Sequence, residues 1–115
     1  MDLFEQYTDL KNKLEKNLPL TAMPIRELVQ IFRNNGNPIT LNTELTITDV
    51  FNSGDISGIM CRVKANNNDK NATVCALTHL IFLPKSPLYI EICDYQRKRV
   101  KRIEKLNGNT SSFKL

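Results

Sequence analysis

The sequence predicts an α+β domain in which a three-stranded antiparallel sheet is covered by helices. Apolar residues recur at helical spacing near both ends of the chain, whereas the middle alternates as strands do. Glycine, proline and asparagine stand at the boundaries between these stretches. The predicted order is α-α-β-β-β-α, and the short connections between strands favour an antiparallel meander.

Two helices are predicted at the N-terminal end, over residues 2–17 and 24–34. In the first, one stripe collects the apolar side chains Leu3, Tyr7, Leu10 and Leu14. Pro19 ends this helix because its ring cannot continue the hydrogen-bond ladder. Pro24 suits the first turn of the second helix, and Gly36 provides its exit. A short link containing proline predicts an antiparallel or angled helix pair.

Three strands are predicted in the middle of the chain, rich in Thr, Val and Ile. They cover residues 44–51, 56–65 and 72–83. Residues 52–55 form the first turn, with a bulge at Gly58, and the polar residues 66–71 form a hairpin loop. The third strand ends in four successive apolar residues, 80–83, which predicts a central or fully covered strand.

The final helix is predicted to start at Ser86, as N-cap, and Pro87, and to end at Asn107 and Gly108. On a helical wheel of about 100° per residue, one side collects mostly apolar side chains: Tyr89, Ile92, Cys93, Gln96, Val100 and Ile103. The opposite side collects cations: Lys98, Lys101, Arg102 and Lys105. The predicted domain therefore covers residues 1–108, followed by a frayed tail over 109–115.

The composition favours one domain that folds without disulfides or a structural metal. The chain has 115 residues, of which 41% are hydrophobic and 24% charged. No apolar run is long enough to span a bilayer, and the first residues lack a signal peptide's pattern, so we expect a cytoplasmic protein and no membrane partner. The odd number of cysteines, with no close pair, predicts free thiols in or near the core at Cys61, Cys75 and Cys93.

Charge is distributed unevenly along the chain. From Tyr95 onward there are seven basic residues and one acid, a net charge of +6, whereas the first 94 residues carry −2. Together these two parts make up the net charge of +4. A mildly acidic body thus carries a basic final segment, which indicates an anionic partner.

The favoured function is a non-enzymatic binding or accessory domain whose basic C-terminal helix docks that partner. The predicted contact residues are Arg97, Lys98, Lys101, Arg102 and Lys105, with further hydrogen bonds from Gln96 and Arg99. We favour an acidic protein surface over nucleic acid because the body is acidic and no helix-turn-helix, finger or RNA-platform pattern is present. The simpler alternative is a solvated helix face that happens to be basic.

A rival hypothesis is a small enzyme or ligand-binding protein that uses His79, Cys61 and Asp55 at a pocket between sheet and helices. His79 would act as a base and Cys61 as a nucleophile, with Asp49 or Asp55 as the orienting acid. Because this is the rival hypothesis, no catalytic residue is assigned, and no cofactor is predicted. No metal site is predicted either, since the cysteines and His79 lack zinc-finger spacing. A third alternative is a homo-oligomer that pairs through a sheet edge.

Overall fold

The computed structural model describes residues 2–65 and 72–107. Within these ranges the helices are α1 (Leu3–Glu15), α2 (Arg26–Asn34), α3 (Gly54–Ser57) and α4 (Tyr89–Leu106). The strands are β1 (Leu20–Pro24), β2 (Leu45–Asn52), β3 (Ile59–Lys64), β4 (Thr73–Ala76) and β5 (Leu80–Ile81), with a 3₁₀ turn at Leu77–His79. The predicted α+β class is confirmed. The predicted loop over 66–71, the predicted helix end at Gly108 and the predicted tail over 109–115 lie outside the described residues.

The five strands form one antiparallel sheet in the order β4-β3-β2-β1-β5. Strands β1, β2 and β3 bury alternate residues, so one face of the sheet packs against helices and the other is more open to solvent. Residues opposite one another on the covered face include Leu20 with Ile47, and Cys61 with Cys75. The core therefore lies between this face and the helices.

Helix α1 starts where the sequence indicates. Asp2 accepts a hydrogen bond from the backbone of Glu5, and the Glu5 carboxylate accepts one from the backbone of Asp2. This reciprocal pair satisfies two amides at the helix start. The predicted stripe then buries Tyr7, Leu10 and Leu14 against the core.

Strand β1 is absent from the sequence prediction. The pattern predicts a link over residues 20–23 and a helix from Pro24, but Pro24 ends β1 and α2 begins only at Arg26. The strand lies between β2 and β5. Its five residues carry an alternating pattern too short to predict a strand, and partners distant in the chain stabilise it. The link between the first two helices is thus a strand, and the predicted three-stranded sheet has five strands.

The predicted third strand, 72–83, is divided. Its first part is β4 and its last part is β5, and the two lie at opposite edges of the sheet rather than at its centre. The 3₁₀ turn between them redirects the chain, so that Ile81 pairs with Met23 of β1. Leu80 is buried whereas Ile81 is about half exposed, because successive side chains of a strand face opposite sides of the sheet. Leu83, beyond the strand, is also about half exposed.

Helix α4 begins two residues later than predicted. Leu88 takes the N-cap position predicted for Ser86, and it has the left-handed conformation with φ 63°. The buried face of α4 also differs from the wheel, since Val100 is 49% exposed whereas Arg99 is only 3% exposed. Polar side chains take part in the packing of this helix, and a wheel drawn from apolar residues alone therefore predicts the wrong buried face.

The turn between β2 and β3 contains the helical turn α3, where the sequence predicts a simple hairpin turn. Gly58 follows α3 with φ 69° and ψ −149°, a combination that only glycine adopts without strain. A Cβ atom there would lie 2.5 Å from the Tyr95 hydroxyl and 2.7 Å from Nε of Arg99. Glycine is therefore required both by the backbone and by the approach of α4.

We predict that Gly58→Ala lowers the free energy of unfolding by about 3 kcal/mol, from backbone strain together with displacement of Tyr95 and Arg99. Gly54→Ala is the matched control, because Gly54 also has a positive φ of 83° but a Cβ added there would meet no atom within 4 Å. The control should cost about 1 kcal/mol. Urea unfolding measures both variants, and equal losses would show that the contact with α4 contributes nothing.

Candidate functional site

Helix α4 is attached to the rest of the molecule by polar side chains on its inner face. The hydroxyl of Tyr95 accepts a hydrogen bond of 2.8 Å from the backbone N–H of Ile59, at the start of β3. The side-chain amide of Gln96 donates to the carbonyls of Leu77 at 3.0 Å and Leu80 at 2.7 Å. These bonds satisfy backbone groups at the places where the sheet ladder is interrupted.

Arg99 is the buried centre of this inner face. Its guanidinium donates to the carbonyl of Asp55 at 2.7 Å and to that of Ile56 at 2.6 Å, and it also donates to the Tyr7 hydroxyl at 3.2 Å. The two carbonyls belong to α3, a four-residue helix whose last carbonyls have no partner within the helix. Arg99 therefore caps α3 from a distance and links it to α1.

Arg102 completes the attachment one turn further on. Its Nε and Nη2 atoms donate to the two carboxylate oxygens of Asp55, forming a bidentate ion pair. The hydrogen bond from Arg102 lowers the pKa of Asp55 below its ordinary value, and the nearby charges of Arg102 and Arg99 lower it further. The sequence predicts that Arg102 contacts a partner, but in the free protein it is held by Asp55.

The sequence predicts that Arg99 donates hydrogen bonds to a partner, but Arg99 is buried and bonded within the protein. A signal was present, because Arg99 follows Ile92 by seven residues and so lies only about 20° from it on the wheel. Tyr95 lies on the same side. Charged side chains are fully buried only when they are paired, so a basic residue in the middle of an otherwise buried stripe indicates a side chain that bonds within the protein.

The outer face of α4 carries the other predicted cations. Arg97 and Lys98 are exposed, and both pair with Asp94, Lys98 at 3.1 Å. Lys101 and Lys105 are also exposed, and the described part of the chain offers neither of them an ion-pair partner. We refer to Arg97, Lys98, Lys101 and Lys105 as the basic face. Four of the five predicted contact residues thus lie together in solvent.

Among the described residues, no hydrogen bond or ion pair joins His79, Cys61 and Asp55, the residues of the rival hypothesis. Cys61 is fully buried in β3 opposite Cys75, and Asp55 is engaged by Arg102 and Arg99. His79 ends the 3₁₀ turn, where its Nδ1 atom is buried without a hydrogen-bond partner among the described residues. Burial raises the pKa of Cys75 to about 12 and raises that of Cys61 further, which opposes formation of a nucleophilic thiolate.

A cleft of about 200 Å³ lies between α1 and α4. Its floor contains Tyr7, Leu10 and Tyr95, and its rim carries charged residues from both helices, including Lys13 and Lys98. The rings of Tyr7 and Tyr95 meet edge to face with their centroids 5.2 Å apart. This cleft adjoins the basic face, because Lys98 belongs to both.

Comparisons of the chain with protein-family models, curated proteins and solved structures found no match. Over residues 2–65 and 72–107, no three His, Cys, Asp or Glu side chains are placed to hold a metal ion. None of the helices described has both the length and the apolar character needed to span a bilayer.

The Asp55 ion pair generates a prediction about pH. Folding lowers the pKa of Asp55 below its unfolded value of 3.8, so the pair contributes its full stabilisation above pH 3.8, and this contribution is lost as the pH falls from there through the lower pKa of the folded state. We expect Asp55→Asn to be less stable than the wild type at neutral pH. The difference in unfolding free energy should shrink progressively in acid. Denaturant titrations across this range test the prediction, and a difference independent of pH would contradict it.

The buried thiols generate a second prediction. In the folded protein at mildly alkaline pH, iodoacetamide should modify Cys93, which is half-buried, while Cys61 and Cys75 remain unmodified. Mass spectrometry of the digested protein identifies the labelled residues, and unfolding in guanidinium should expose all three. Rapid labelling of Cys61 in the folded state would instead favour the enzyme hypothesis.

Proposed function

We propose that this chain is a non-enzymatic binding domain whose basic face docks an anionic macromolecular partner, namely the acidic surface of another protein. The observation that supports this proposal is the separation of roles along α4. Tyr95, Gln96, Arg99 and Arg102 are used internally, whereas the basic face makes no contact that the fold requires.

Lys101 and Lys105 are the centre of the proposed contact. Both are exposed on successive turns of the helix, and no acid among the described residues neutralises them. Lysine ammonium groups in this setting are fully hydrated and mobile, so they can pair with carboxylates of a partner with little rearrangement. Such contacts mainly raise the association rate and the selectivity for a negative surface.

Two features of the same surface favour protein over nucleic acid. Acidic residues stand among the cations, with Asp94 pairing to both Arg97 and Lys98, and Glu104 exposed nearby. Exposed apolar residues also occur on α4, since Ile90 is 77% and Val100 49% exposed. A mixed apolar and charged surface matches a protein partner better than a uniformly negative phosphate backbone.

We predict that the double variant Lys101→Glu and Lys105→Glu binds a fluorescent oligoglutamate peptide about tenfold more weakly than the wild type at low salt. Arg26→Glu combined with Lys85→Glu is the matched control, because both residues are exposed, lie outside α4 and change the net charge equally. Fluorescence anisotropy measures the affinities, and circular dichroism confirms that both variants are folded.

If the control variant loses as much affinity as the Lys101 and Lys105 variant, only net charge matters and the assignment to the basic face is wrong. If the wild type does not bind oligoglutamate at low salt, an acidic protein partner is excluded. Nucleic acid is then tested with a short DNA duplex. Four phosphate contacts by the basic face predict a slope of log affinity against log salt of roughly −3 to −4.

A further inference from the structure

We propose that the cleft between α1 and α4 receives one large apolar side chain, such as Phe or Leu, from the acidic segment that binds the basic face. This inference rests on the proposed function and deepens it, because it adds an anchoring pocket to an electrostatic surface. It assigns the partner's chemistry as an acidic peptide that carries one large apolar residue.

The floor of the cleft offers hydrocarbon rather than hydrogen bonds. The hydroxyl of Tyr95 is occupied by the backbone of Ile59, and that of Tyr7 accepts a hydrogen bond from Arg99. Leu3 and Leu10 provide further apolar surface. Since the polar ends of both tyrosines are engaged elsewhere, an incoming group meets their rings, which favour aromatic and aliphatic contacts.

The size of the cleft matches one side chain. A volume of about 200 Å³ lies below the range of pockets that enclose drug-sized ligands. It holds a single large side chain while the rest of a peptide stays outside. Burial of one aromatic or leucine side chain in such a pocket is a typical anchor in protein interfaces.

The charges around the cleft set the direction in which the rest of the peptide extends. On the α1 side Lys13 is neutralised by Asp9 at 3.3 Å, and on the α4 side Lys98 pairs with Asp94. Beyond Lys98, α4 continues through Lys101 and Lys105. Glu91 lies at the other end of the cleft. Acidic residues of a bound peptide are therefore attracted toward the C-terminal end of α4, on one side of the anchor.

The test compares two synthetic peptides, an oligoglutamate with one internal Phe and the same peptide with Ala in its place. We expect the Phe peptide to bind the wild type about tenfold more tightly, as burial of a phenyl ring predicts. Both peptides should lose affinity in the Lys101→Glu and Lys105→Glu variant. Isothermal titration calorimetry measures each pair.

A blocking variant locates the anchor. Gln6 lines the cleft from α1 and is exposed, so Gln6→Trp should fill the cleft without disturbing the core. In this variant the Phe and Ala peptides should bind within about twofold of each other. Asn12→Trp, on an exposed position of α1 outside the cleft lining, is the control and should keep the full difference.

Methyl NMR provides an independent measurement in the wild type. The Phe peptide should shift the Leu10 methyl signals, and the Ala peptide should not.

If both peptides bind the wild type equally, the cleft proposal is wrong while the basic face stands. If the Phe advantage persists in Gln6→Trp, the anchor lies elsewhere and the cleft proposal is also wrong. If neither peptide binds, the proposed function itself fails.

Discussion

The contact of Arg99 with the backbone of α3 holds together the last helix, the first helix and the connection between β2 and β3. A guanidinium that is 3% exposed loses nearly all of its hydration, and this cost is offset only if its donors find acceptors. The carbonyls of Asp55 and Ile56 supply those acceptors, and they in turn need an external donor because α3 is one turn long. The carbonyls offset the desolvation of the guanidinium, and the guanidinium donates to carbonyls that would otherwise lack a hydrogen-bond donor.

This mutual requirement links parts of the chain that are far apart in sequence. Arg99 reaches α3 across more than forty positions, and Tyr7 from α1 joins the same cluster through its hydroxyl and its ring. Tyr95 and Gly58 stand directly beside it. The connection between β2 and β3, the first helix and the last helix are therefore positioned by one hydrogen-bonded group. The cleft between α1 and α4 is a consequence of the same arrangement.

The basic residues of α4 divide by chemistry as well as by position. The planar fork of donors of the buried Arg99 satisfies two carbonyls, and that of the half-exposed Arg102 satisfies a carboxylate. Lys98, Lys101 and Lys105 stay in solvent, where a compact ammonium keeps its hydration. The high positive charge of this segment thus has two roles, and only part of it is available to a partner. A count of charges along the sequence cannot separate the two.

Local signals in the sequence determined the elements whose patterns span several turns or repeats: the apolar stripe from Leu3 to Leu14, the alternation in β2 and β3, and the long C-terminal helix. They also located the basic segment. Only the tertiary structure decided that residues 20–24 form a strand, that 72–83 supplies both edges of the sheet, and that Arg99 points inward. The physical reason is that these outcomes depend on pairing and desolvation between distant segments, and a residue's neighbours in the sequence carry little information about either.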